Sequence, residues 1–183
     1  MSSHSPVRAI RTFAIIAPVA FMLDQLSKWL ILEHLFKTPQ AQASPFLKWL
    51  VSSDQRTAFT QIEILPFFNL TMVWNEGMSF GLLGDDSSGI QAIALSALAG
   101  IICTALFIWI LHEKRTGVIV ALSMIIAGAL GNVLDRLRFG AVADFFDFHI
   151  AGWHYPAFNI ADSVIVLGVA YLALDALFFH KSS

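Results

Sequence analysis

The chain is poor in charge and nearly devoid of cysteine. Of its 183 residues, 13% are charged and 57% are apolar. Soluble domains carry about 25% charged and about 45–50% apolar residues. So few charges cannot supply the polar shell of a water-soluble domain, and the mean hydropathy of +0.70 agrees. An integral membrane protein is the natural reading. The single cysteine, Cys103, excludes an intrachain disulfide and a dithiol redox centre. A net charge of −2 leaves no electrostatic footprint for nucleic acid. The histidines, His4, His34, His112, His149, His154 and His180, have no metal-ligand spacing, and neither common phosphate-binding glycine loop is present. No metal and no cofactor are expected. His149 and His154 are the weak exception, because they fall near a cluster of acids. There is no internal repeat and no low-complexity run.

What is present in quantity is apolar sequence. A membrane helix needs roughly 20 mostly apolar residues. Spans are expected at about 12–32, 90–111, 117–136 and 161–179, forming a single integral membrane domain over 1–183. Span 1 is read as retained rather than as a cleaved signal. Asp24 and Lys28 interrupt its apolar run, and the small-residue stretch Ala41-Gln42-Ala43 lies too far beyond it. Arg8 and Arg11 precede span 1, Lys114 and Arg115 fill the loop between spans 2 and 3, and Lys181 follows span 4. Short loops rich in Lys and Arg stay in the cytoplasm, so both termini and that loop are expected inside. Arg136 and Arg138 then fall outside, against the rule.

The segment from about 33 to 89 is the only soluble-looking part. Ile62 and Ile64 alternate with polar residues, as do Phe68, Leu70, Met72 and Trp74, which predicts strands. Pro66 marks a break or an edge, and Gly77, Gly81 and Gly84 fit turns. The aromatics Phe67, Phe68, Trp74 and Phe80 suit a small sheet at the headgroup level. The stretch PFLKWLV at 45–51 reads as a short interfacial helix or as loop. The expected fold is therefore an all-α membrane protein of four transmembrane helices, with a small extracytoplasmic β-sheet, or cradle, between spans 1 and 2.

The few charges are concentrated. Asp24 and Lys28 are four apart and share one face of span 1. They are either a self-neutralising pair or a wall of a polar site. Asn132, Asp135 and Arg136 share a face at the outer end of span 3, either as an interfacial cap with Arg136 paired to Asp135 or as part of a site. Asp162 opens span 4, where an acid favours the helix dipole, and Asn159 is placed to be the cap. An antiparallel hairpin of spans 3 and 4 brings the outer end of one to the start of the other. Asp144 and Asp162 then meet at the outer boundary. Two carboxylates close together in a low-dielectric site share a proton, so one can activate water while the other protonates a carbonyl. That is aspartic protease chemistry. The residues alone do not choose the pair. Asp175 lies at the far end of span 4 and Asp24 lies deep, but Asp135, Asp144, Asp147 and Asp162 all remain candidates. A Ser/Lys dyad using Lys28 is a weaker option, since no serine is nominated by its context. A small proton-coupled transporter is the alternative from another class. A proton relay needs acids through the membrane depth, and span 2 and the run Gly117–Leu134 hold none.

Five motifs stand in order: DQLSK at 24–28, NEGMSFG at 75–81, GNVLDR at 131–136, VADFFDF at 142–148 and FNIAD at 158–162. The series resembles the lipoprotein signal peptidase (signal peptidase II) family of bacterial inner-membrane aspartic proteases. No single motif is specific alone. The resemblance implies removal of signal peptides from diacylglyceryl-modified prolipoproteins, with the cut just before the lipidated cysteine. It implies Asp144 and Asp162 as the catalytic pair. Asp24 and Lys28 match supporting positions, and Asn75 and Gly77 match the outer N-x-G where substrate and the cyclic peptide antibiotic globomycin are contacted. Asn132, Asp135, Arg136 and Asn159 match the remaining motif positions. Membrane lipid and prolipoproteins are the implied partners, and a monomer is expected. One departure is a surplus of chain around 38–58, for which an interfacial elaboration is expected.

Overall fold

A computed structural model of the chain describes residues 6–37, 41–53, 56–77 and 89–178. Gly81, Gly84, Phe80, Phe179 and Lys181, read above as turn, interface or flank residues, lie outside them. The described residues form five α-helices, one π-helical turn and four strands. Helix α1 (Pro6–Leu30) runs on through the π-turn Ile31–Leu35, α3 spans Ile90–His112, α4 spans Thr116–Phe139 and α5 spans Ile160–Phe178. All four are long and apolar enough to cross a membrane, within a few residues of the expected spans.

Helix α4 is the hub. The most apolar stretch of α4 is 61% buried, against 11–17% for the other three. Helices α1, α3 and α5 surround it, and Val118, Leu122, Ile126 and Ala127 fill the interior. The outward residues, such as Ile15, Val19, Ile93, Ile101, Val166 and Leu174, are apolar and exposed, as acyl chains require. At the opposite end from the acid cluster, Arg115 in the α3–α4 connection bonds Asp175 of α5 and Glu113. Against partial burial, which raises it, the Arg115 side chain and the N–H groups of Arg115 and Lys114 hold the Glu113 carboxyl down at about 2.

The sheet is antiparallel, in the order β1-β2-β3-β4. Strands β1 (Gln61–Leu65) and β2 (Phe68–Asn75) are the expected hairpin, turning at Pro66-Phe67. Strands β3 (Val142–Ile150) and β4 (Trp153–His154) come from the connection between α4 and α5. The sheet is thus wider than the segment between spans 1 and 2 alone can supply. The run VADFFDFHI is rich in aromatic and β-branched residues, which suit a pleated, half-buried surface. Its two aspartates mask that signal when the stretch is read as a charge cluster. Pairing Asn75 with Val142 and Asn69 with Asp147 sets the register of β2 on β3, with an irregularity between Leu70 and Val73.

Beneath the sheet lies a second core: Ile31, Leu32, Phe36, Trp49, Leu70, Met72, Ala143 and Phe145. Trp49 comes from α2 (Phe46–Val51), so PFLKWLV is a helix. Its Trp49 is 2% exposed, while Leu47 and Val51 are 75% and 83% exposed, which leaves α2 packed on one face and open on the other. The surplus segment is anchored at its start as well. The Trp29 indole donates to the Ser44 carbonyl at 2.8 Å, and the Ser44 N–H donates to buried Glu33 at 2.5 Å.

Candidate active site

Helix α5 begins with a reciprocal cap. The N–H of Asp162 donates to Asn159 Oδ1 at 3.0 Å, and the N–H of Asn159 donates back to Asp162 Oδ2 at 3.2 Å. Two otherwise orphaned donors of the first turn are satisfied. The other oxygen of Asp162 accepts the Asn132 amide from α4 at 2.8 Å. Asp162 is therefore both a helix-start acid and a member of a cross-helix network.

Asp144 enters from β3. It is 1% exposed, yet its carboxylate takes the Asn159 amide at 2.8 Å on Oδ1 and the Asn75 amide at 3.0 Å on Oδ2. Asn159 also bonds the Asn132 side-chain oxygen and the Ala143 carbonyl, each at 3.2 Å. Asn132 and Asn159 thus link Asp144 to Asp162. Burial, reinforced by the charge of Asp162, pushes the Asp144 carboxyl up to about 7, although the amides of Asn75 and Asn159 pull the other way. Asn75 is itself held, since the Gly77 N–H donates to its Oδ1 at 2.9 Å. Gly77 has φ +99°, where a side chain is strained.

Below this pocket sits a buried charge triad. Lys28 Nζ lies 2.9 Å from Asp24 and 2.7 Å from Asp135, and all three side chains are fully buried. Its remaining donor faces Asn132 Oδ1 at 3.4 Å. With its donors engaged in this way, Lys28 is not placed to serve a serine. Asp24 also receives the Ala161 N–H at 3.0 Å, and Asp135 receives the Ala143 N–H at 3.2 Å. These residues flank Asp162 and Asp144 in the chain. The triad therefore fixes the backbone beside each candidate carboxylate. Asp24 and Lys28 are at once a paired couple and the wall of a polar site.

One pairing differs from expectation. Asp135 pairs with Lys28, not with Arg136. Arg136 lies within electrostatic reach of Asp144 and Asp162, and its buried Nε has no partner among the described residues. Asp147 belongs elsewhere in the sheet. It accepts Thr71 Oγ1 at 2.9 Å and bonds His154 Nδ1 at 2.7 Å, and these contacts hold its carboxyl below the usual range against the opposing effect of burial. His149 stacks on His154 at 4.9 Å between ring centroids. Among the described residues, no three His, Cys, Asp or Glu side chains converge as metal ligands.

Sequence reasoning missed Gly131 as part of the site. A Cβ there would lie 2.4 Å from Asp24 Oδ2, so only glycine lets α4 approach that carboxylate. Its signal was its place at the head of GNVLDR.

The family model of signal peptidase (SPase) II matches residues 16–178. The lipoprotein signal peptidase of Sphingopyxis alaskensis is 36% identical over 183 residues, covering 100% of this chain and 93% of that protein. That of Coxiella burnetii is 37% identical over 166 residues, covering 90% and 88%. That of Burkholderia vietnamiensis is 46% identical over 119 residues, covering 64% and 70%. A bacterial membrane enzyme solved by the in meso method at 1.9 Å resolution superposes with a TM-score of 0.69 at 30% identity, covering 94% of this chain and 96% of its own. With the match running through all four spans and both halves of the sheet, the chain belongs to the signal peptidase II family, the lipoprotein signal peptidases.

Proposed function

We propose that this multi-pass membrane peptidase works by aspartic chemistry, with Asp144 and Asp162 as the catalytic pair. The observation that carries the reading is the asparagine bridge. Asn132 and Asn159 bind the two carboxylates into one pocket, and burial together with Asp162 raises Asp144 to about 7. The roles divide by environment. Asp162 is partly exposed at a helix N-terminus, where the dipole favours the anion. It takes a proton from water as the water oxygen attacks the scissile carbonyl carbon. Asp144, buried and holding its proton, gives it to the carbonyl oxygen. A gem-diol forms. On collapse the C–N bond breaks, Asp162 returns its proton to the leaving nitrogen, and the diol proton restores Asp144.

The substrates are diacylglyceryl-modified prolipoproteins, cut just before the lipidated cysteine. Such a bond lies between a lipid anchor and a membrane helix, so it sits at the bilayer boundary. A site at the outer ends of α4 and α5, roofed by the sheet, suits that position. Arg8, Lys114 and Arg115 mark the opposite end as cytoplasmic. Asp24, Lys28, Asp135, Asn132 and Asn159 position the pair, while Asn75, Gly77 and Arg136 face the substrate side. Globomycin-type inhibitors would occupy the same pocket.

The test is cleavage of a prolipoprotein, with and without diacylglyceryl, by purified protein in lipid. Only the lipidated form should be cut. Asp144→Asn and Asp162→Asn should each lose about 10²–10⁴ in rate while remaining folded. Full activity in either variant refutes the role given to that residue.

A further inference from the structure

The surplus segment ends on Arg56 and Thr57, and these two residues grip the chain on both sides of Asn75. On one side, the Trp74 indole donates to the Thr57 carbonyl at 2.8 Å, and the Arg56 guanidinium lies 5.9 Å from the centre of the Trp74 ring. On the other side, Arg56 Nη1 pairs with Glu76. Arg56 Nε reaches a third point, donating to the Phe139 carbonyl at the end of α4 at 2.9 Å. An exposed ion pair alone contributes little. Here one rigid fork joins three elements, which a point-charge ammonium cannot do.

The grip is reciprocal. Arg138 of α4 donates to the Ser52 carbonyl at 2.8 Å and to the Trp49 carbonyl, both at the end of α2. Its guanidinium lies 4.1 Å from the Trp49 ring centre and 4.4 Å from that of Phe139. Each of two helix C-termini is thus closed by an arginine from the other segment, as orphaned terminal carbonyls favour. This also gives Arg138 a structural reason to stand on the outer side despite its charge.

We infer that Arg56 is a positioning residue for the reaction, holding the β2 end so that Asn75 donates to Asp144. The inference rests on Asp144 being one of the catalytic carboxylates. It gives the surplus segment a role beyond packing on headgroups. The segment braces the Asn75 corner from outside the motifs.

The experiment measures kcat, KM and the kcat pH profile on a diacylglyceryl-modified prolipoprotein, using the full chain in lipid. The variants are Arg56→Ala, Arg56→Lys, Glu76→Gln, Asn75→Ala, the Arg56→Ala/Asn75→Ala double variant and Asp144→Asn. Arg56→Ala should lower kcat on the order of tenfold, as a small misplacement does, with KM little changed. Glu76→Gln and Arg56→Lys should fall between it and the parent. Because the Asn75 bond lowers the Asp144 pKa, the basic limb of the profile should move up in Arg56→Ala and Asn75→Ala alike. The double variant should be no slower than Asn75→Ala, since the two act in series. An unchanged kcat in Arg56→Ala, an unmoved pH profile, or losses that multiply in the double variant would each overturn the inference. Should Arg56→Ala fail to fold, Glu76→Gln and Arg56→Lys carry the same test. If Asp144→Asn is dead while the Arg56 and Glu76 variants match the parent, only this inference fails. If Asp144→Asn is fully active, the catalytic reading fails with it.

Discussion

Asn159 and Asp162 cap one helix for each other, through N–H bonds of 3.0 and 3.2 Å, and the Asn159 side chain simultaneously holds Asp144 at 2.8 Å. A local device that starts α5 is therefore the same device that brings two carboxylates together. Folding the first turn of that helix assembles the pocket.

That coincidence can be separated by substitution. Asn159→Ser keeps a capping oxygen but removes the amide donor to Asp144. It should retain more thermal stability than Asn159→Ala and still nearly abolish cleavage. Asn159→Ala should lose both, with a cost of about 1 kcal/mol for the cap alone. Equal activity in Asn159→Ser and the parent would show that the bond to Asp144 has no part in the reaction.

Lys28 pairs with two buried carboxylates, at 2.9 and 2.7 Å. Lys28→Met strands Asp24 and Asp135, and breaking a buried pair in this way costs about 3–5 kcal/mol. The unfolding midpoint in detergent should drop steeply. Adding Asp24→Asn and Asp135→Asn should restore most of it by removing the uncompensated charge.

At Gly131 a methyl group would stand 2.4 Å from Asp24 Oδ2. Gly131→Ala should destabilise by about 1–3 kcal/mol, the usual cost of overpacking, and lower activity. Gly100 on α3 meets nothing within 4 Å, so Gly100→Ala should be neutral or slightly stabilising. Thermal unfolding of the two variants side by side checks the contrast.

The pH dependence has a definite sign. Asp144 is raised from 3.8 to about 7, chiefly by burial and then by Asp162. If it donates a proton in catalysis, kcat should fall as pH rises through about 7, with apparent values belonging to the pair. For stability, the folded state holds this proton more tightly than the unfolded chain. The contribution is full below about 3.8 and is lost as pH rises through about 7. The unfolding midpoint of Asp144→Asn should accordingly vary less with pH in that window than that of the parent. Parallel curves would refute the burial effect.

The sequence by itself determined the membrane class, the four spans and the hairpin β1–β2. These rest on apolar run length, period-two alternation and helical spacing, all of which are local. It also brought Asp24 and Lys28 together, since four residues make one helical face. Tertiary structure alone decided that Lys28 serves Asp135 as well, that Arg136 does not, and that Asp147 binds His154. Those choices depend on which helices and strands meet, and no local period encodes that. It also made VADFFDFHI a strand, because β2 offered an edge to pair with. Helix α2 and the Arg56–Thr57 stretch pack against α4 and β2 for the same reason. Arg56 and Arg138 find their carbonyl partners 83 and 86 residues away, a separation that only the packed chain can close.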